Sequence, residues 1–181
     1  MTDEKINILP LWLRVININL GVAMIILSGL AIFNNYFIGS IKLILLAIIL
    51  LLLSLTLIAN GIFTRFFSYG LMILNITSGS VILALGVTTI VLLHLQIDLS
   101  IILLLIGLLI HAVTRITMAA SKIGLPLKIK IFQGLTGAVL ILLSLVIILG
   151  VKWESETLLG LTFLTVGLEK TFIGIQGYYI K

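Results

Sequence analysis

Residues 41–66 read IKLILLAIILLLLSLTLIANGIFTRF, with Lys42 and Arg65 near the two ends and no charge between them. A helix over this run extends about 39 Å, enough to cross the roughly 30 Å hydrocarbon core of a bilayer. It has no polar face, so it is neither the surface helix of a water-soluble domain nor an alternating strand. It reads as a transmembrane helix, and the rest of the chain repeats the pattern. Of 181 residues, 61% are hydrophobic and 9% charged, a balance that no soluble domain of this size keeps in solution. Apolar runs predict helices at about 11–33, 41–66, 71–95, 99–118, 127–150 and 156–178. They form a single membrane domain over 1–181, leaving too little chain for an appended nucleotide-binding, DNA-binding or protease domain. The predicted turns fall at Asn34, Asn35, Gly39 and Ser40, at Gly70, at Gln96 to Asp98, at Ser121 to Pro126 and at Lys152 to Ser155. Pro10 and Pro126 precede or open helices, where a missing amide hydrogen costs nothing. The apolar run after MTDEKINILP is too long for a signal peptide and lacks a small-residue cleavage site, so it is read as a retained first helix.

An even number of spans puts both termini on one side. That side collects Lys5, Arg14, Arg65, Arg115, Lys122, Lys128, Lys130, Lys170 and Lys181, against Lys42 and Lys152 on the other. By the positive-inside bias both termini are expected in the cytoplasm, with Asp98, Glu154 and Glu156 outside, in the cell (inner or plasma) membrane. The net charge of +5 therefore sets topology and anionic-lipid contact, and no nucleic-acid partner follows. Trp12, Trp153, Tyr36, Tyr69, Tyr178 and Tyr179 fall at predicted helix ends, where an amphipathic ring suits the headgroup layer.

The odd-numbered helices share an amide residue, a glycine four later and a small residue seven beyond. Asn17, Gly21 and Ser28 recur 58 residues on as Asn75, Gly79 and Gly86, and 58 further on as Gln133, Gly137 and Ser144. The even helices carry a small residue seven before a glycine: Ser54 and Gly61, Ser100 and Gly107, Gly160 and Gly167. The expected fold is an all-α integral membrane protein of six transmembrane helices, arranged as three parallel two-helix hairpin repeats (about 11–69, 70–120 and 126–178) with pseudo-threefold symmetry. Parallel copies relate by an axis along the membrane normal, unlike the inverted repeats of many secondary transporters. The glycines Gly21, Gly79, Gly137, Gly61, Gly107 and Gly167 are expected at helix interfaces, where small residues let backbones approach closely; lining a pore is the alternative.

With these hairpins and the segment TLLGLTFLTVGLEKTF, containing Gly167, Leu168 and Glu169, the chain resembles the short-repeat membrane proteins that include the acid-resistance protein HdeD. The likeness covers nearly the whole chain, although the proline that family members often place in the outer hairpin turns is absent after helices 1, 3 and 5. It implies an inner-membrane protein associated with stress or acid tolerance, and it brings no established catalytic residues.

Polar residues predicted within the spans gather toward the cytoplasmic half: Asn17, Asn19, Asn60, Arg65, Asn75, His111, Arg115, Gln133, Glu169 and Lys170. A charge at the bilayer centre costs about 2.5 to 3.5 kcal/mol on insertion scales. Glu169 is thus expected to be protonated or to have a partner among Arg65, Arg115 and His111. One reading is a hydrogen-bonded plug that fixes hairpin register while Arg65, Arg115 and Lys170 snorkel to the headgroups. The other is a vestibule, open to the cytoplasm, in which Asn17, Asn75, Gln133, Arg65, His111, Arg115 and Glu169 hold a proton, ion or small polar solute. His94, near Asp98, is a weaker candidate as a sensor of external acid, since imidazole titrates at about pH 6.5.

Other chemistry has nothing to stand on. Zero cysteines exclude thiolate metal sites and cysteine nucleophiles. The two histidines have no HExxH or paired-carboxylate context, and no GxSxG, Walker A or GxGxxG motif is present. Neither an enzyme, nor a cofactor, nor a metal is expected. The expected role is structural or accessory, in stress or acid tolerance. The alternatives are a proton, ion or small-solute channel or carrier, and a small subunit of a larger membrane complex. Beyond the lipid bilayer, a membrane-protein partner or a homo-oligomer stays open.

Overall fold

Each apolar run forms one helix in the computed structural model, which describes residues 10–33, 39–64, 68–93, 97–121, 127–149 and 155–176. In order these are α1 (Leu11–Phe33), α2 (Gly39–Thr64), α3 (Tyr69–Leu92), α4 (Ile97–Ala120), α5 (Leu127–Ile148) and α6 (Ser155–Gln176), with no strand among the described residues. All six are long and apolar enough to cross a membrane. The protein is an all-α, multi-pass membrane protein.

The helix starts correct several expected turns. Gly39 and Ser40 lie in the first turn of α2, Gly70 in that of α3, Asp98 in that of α4, and Ser155 opens α6. Ser68, not Gly70, marks the start of α3, because its Oγ accepts the Leu71 N–H at 3.4 Å and so satisfies one of the amides that a helix start leaves unpaired. Asp98 gains from the positive end of the α4 dipole. Pro10 begins α1 by accepting from the amides of Leu13 and Arg14 at 3.0 and 3.1 Å.

The even helices α2, α4 and α6 touch one another, whereas α1, α3 and α5 each lie between two even helices and touch no other odd one. The odd helices are therefore peripheral. Each packs most extensively on one even neighbour: α1 on α6, α3 on α2, α5 on α4. The closest pairs thus join different hairpins, and glycine is the reason. A Cβ on Gly21 would stand 2.6 Å from Thr171 N and 2.9 Å from Gly167 O; one on Gly79, 3.2 Å from Ile58 N and 3.1 Å from Ser54 O; one on Gly137, 3.3 Å from Ile116 N and 2.9 Å from Ala112 O. Backbones in such contact gain dispersion energy that lipid tails cannot match.

The even-helix glycines divide differently from their expected alignment. Gly167 faces Gly21 and Ile25 of α1 and Gly61 faces Asn75 and Ile76 of α3, but Gly107 faces Leu50 of α2. Gly107 serves the contact between two inner helices, so it is not the counterpart of the other two. Inside, Leu43, Leu46, Ile49, Leu50, Leu53 and Leu57 of α2 are fully buried. Outside, the exposed residues are equally apolar, among them Val22, Ile26, Leu55, Val113, Leu142 and Leu168. Such a surface is stable only against hydrocarbon.

Candidate functional site

The odd helices each present one buried stripe, and its amide member sits at the same depth in all three. Asn17, Asn75 and Gln133 are buried, each six residues after the first residue of its helix, about 9 Å in along the axis. From the even helices, which end on that face, come Asn60 of α2, His111 and Arg115 of α4, and Glu169 and Lys170 of α6, all buried. These residues form a polar layer below the membrane face at which α1 begins.

On the α1–α2 side the layer is neutral and mostly satisfied. Asn17 and Asn60 exchange hydrogen bonds, Nδ2 to Oδ1 in each direction at 3.3 Å. Asn17 Nδ2 also donates to Leu13 O at 2.8 Å and Asn75 Nδ2 to Leu71 O at 3.0 Å. Ser78 of α3 and Thr114 of α4 share a hydroxyl hydrogen bond of 2.9 Å.

Between α4 and α6 the layer is charged. Arg115 Nε lies 2.7 Å from Glu169 Oε1, and His111 Nε2 lies 3.2 Å from Glu169 Oε2, with all three side chains essentially inaccessible to solvent. His111 and Arg115 occupy successive turns on one face of α4, which brings both to one carboxylate. The Arg115 Nε–H is directed at His111 Nε2, 3.4 Å away, so its approach to Oε1 is an ion pair rather than a linear hydrogen bond. His111 Nε2 cannot accept from Arg115 while donating to Glu169. The line between His111 Nε2 and Glu169 Oε2 is therefore where a proton can reside on either partner. Arg115 Nη1 is 3.5 Å from the sulfur of Met118.

Several polar atoms of this layer have no hydrogen-bond partner in the protein: Lys170 Nζ, Arg115 Nη2, His111 Nδ1, Asn75 Oδ1, both Gln133 side-chain atoms and Glu169 Oε1, whose contact with Arg115 is an ion pair only. In an apolar interior each such group is costly, and a cation most of all.

The structure brings together Arg115, His111 and Glu169, and places Asn17, Asn75 and Gln133 at the same level. Arg65 and His94 lie outside the described residues, so the expected role of Arg65 as a partner of Glu169 and the sensor role of His94 are untouched. Three expectations change. Lys170 and Arg115 do not snorkel: Lys170 is 0% exposed and Arg115 1%, and Arg115 is held by Glu169 of α6. Asn19 is exposed on α1, since two residues beyond Asn17 is about 200° around the helix. The expected alignment of Gly107 with Gly61 and Gly167 fails, because Gly107 packs on Leu50 of α2 and not on an odd helix. Lys170 is the member that sequence reasoning missed as a core residue; its adjacency to Glu169 was the available signal. Among the described residues no group of three or more His, Cys, Asp or Glu could hold a metal ion. No protein-family model, curated protein or solved structure matches the chain.

Proposed function

We propose that this is an HdeD-like membrane protein that binds a proton or a small polar solute in the buried layer, reached from the face at which α1 begins, and that carries it as part of stress or acid tolerance. The observation that supports this reading is the set of buried polar atoms without hydrogen-bond partners, among them Lys170 Nζ and both Gln133 side-chain atoms. A plug serving only to set helix register gains nothing from orphaned donors; a binding layer needs them. Its depth of about two turns lets water or solute reach it from one face. In the opposite half the buried polar groups are hydroxyls and Lys42, which favours one-sided binding over an open pore.

The same proposal holds that the six helices are three parallel hairpins about a pseudo-threefold axis. The glycine seats support it. Gly21, Gly79 and Gly137 are 58 residues apart, and each meets one amide and the carbonyl four residues earlier on its even partner. Nine basic residues against two support cytoplasmic termini in the cell membrane.

A structural or accessory role, the plug reading, draws on a different observation: the Arg115–Glu169 pair ties α4 to α6, inner helices that otherwise meet at few points. Proton uptake separates the two readings. Purified protein shifted from neutral to strongly acidic pH is expected to take up about one proton per chain more than a His111→Gln variant, which keeps the Arg115–Glu169 ion pair, and reconstituted vesicles are expected to lose flux with the same change. Equal uptake and equal flux in a folded variant would make the cluster a brace.

A further inference from the structure

We infer that the solute of this layer is a small monovalent inorganic anion, seated on Lys170. The inference rests on the binding reading above and names its ligand class.

The charge inventory of the layer is unbalanced. Four ionisable side chains are completely or almost completely buried there: His111 and Arg115 on α4, Glu169 and Lys170 on α6. The facing residues from α1, α2, α3 and α5 are the neutral amides Asn17, Asn60, Asn75 and Gln133. Glu169 has one oxygen against Arg115 and the other against His111, so its charge is already matched. Lys170 is fully buried, its Nζ has no hydrogen-bond partner, and it has no carboxylate of its own. Among the described residues the one other acid with a placed side chain is Asp98, at the far end of α4, about 25 Å along the axis from Arg115.

The unpartnered atoms include acceptors, Asn75 Oδ1 and Gln133 Oε1 among them, but the two that belong to cations can only donate. Lys170 Nζ and Arg115 Nη2 are obligate donors, and Gln133 offers an amide Nε2. A cation would add to the unmatched charge, and a neutral solute would leave it buried. A single negative charge cancels it, which sets the valence at one. Protonation of the His111–Glu169 pair adds a further positive charge, so anion binding strengthens as pH falls, and by linkage the bound anion favours proton uptake.

Chloride is the probe, titrated calorimetrically into the full-length protein in mild detergent and gluconate buffer. The expected result is saturable binding of about one chloride per chain, weakened about tenfold or more by Lys170→Met and kept within about threefold by Lys170→Arg. Should Lys170→Met not fold, Gln133→Leu and the wild-type thermal midpoint carry the test: chloride, and not gluconate, is expected to raise that midpoint with saturation. Absence of saturable binding by chloride, bromide and nitrate overturns the inference, as does unaltered affinity in folded Lys170→Met. Proton uptake measured on the same samples separates the failures. Uptake without chloride binding overturns the anion alone, and absence of both overturns the binding layer itself.

Discussion

Glu169 is an expensive residue, and the geometry around it shows how the cost is met. A carboxylate withdrawn from water in mid-helix is tolerable only with a close counter-charge, and Arg115 Nε supplies one at 2.7 Å. Removing the acid alone leaves Arg115 buried without a counter-ion. Glu169→Gln is therefore expected to destabilise the protein by about 3–5 kcal/mol, whereas Glu169→Gln combined with Arg115→Gln recovers most of the loss. Reversible unfolding in detergent micelles checks both, and an equal loss in the single and double variants would show that the pair is not coupled. Two basic residues that read in sequence as topology signals turn out also to terminate helices. Arg14 donates from Nε and Nη2 to Gly174 O and Ile175 O, each at 3.2 Å, and Lys130 Nζ donates to Ser121 O at 3.0 Å. Both satisfy carbonyls at a helix C-terminus, where positive charge is also favoured by the dipole.

Among the helices, the contact between α1 and α6 depends on residues without side chains. Gly160, Gly167 and Gly174 stand seven apart on α6 and receive Ile32, Ile25 and Ile18 of α1, also seven apart. A seven-residue spacing is nearly two whole turns, so each glycine returns to the same face. At Gly21 a Cβ would meet backbone atoms of Thr171 and Gly167 within 2.9 Å, while at Gly29, one helix face away, it would meet nothing within 4 Å. Gly21→Ala is expected to cost about 1–3 kcal/mol through forced separation of the helices. Gly29→Ala is expected to be neutral or slightly stabilising, since alanine is the better helix former. Thermal unfolding of the two variants side by side is the measurement; equal midpoints would mean that the helices can part without loss.

For the whole molecule, the consequence of this arrangement is an asymmetric interior, polar below one face and nearly aliphatic below the other. The chain has no cysteine, so single cysteines can report access without background. Gln133→Cys in the polar layer is expected to react with a small charged thiol reagent added from the side that carries the termini. Ser144→Cys, buried three turns further along α5, is expected to be protected from both sides. Labelling in oriented membrane vesicles reads both, and protection of Gln133→Cys from either side would mean that the layer is sealed.

Six apolar runs of about membrane-spanning length could fold in no other class, and so the helix number and type and the approximate ends were legible in the residues themselves. The amide register of Asn17, Asn75 and Gln133 was legible too, because a repeated spacing on a helix implies a repeated depth. What the chain order hid was which helices touch most closely. Hairpin neighbours are adjacent in sequence, yet α1 finds its closest partner in α6, at the far end of the chain. That pairing is decided by the fit of Gly21 against Gly167 and Thr171, a matter of shape across two helices that neither one encodes alone. The same packing buried Lys170, where a helix end read in isolation would send it to the headgroups, and it brought His111 and Arg115 of α4 to Glu169 of α6. Local hydrophobicity determines that a segment enters the membrane. Only the packing of six such segments decides which of their polar groups meet, because in hydrocarbon one apolar face is as good as another until close contact distinguishes them.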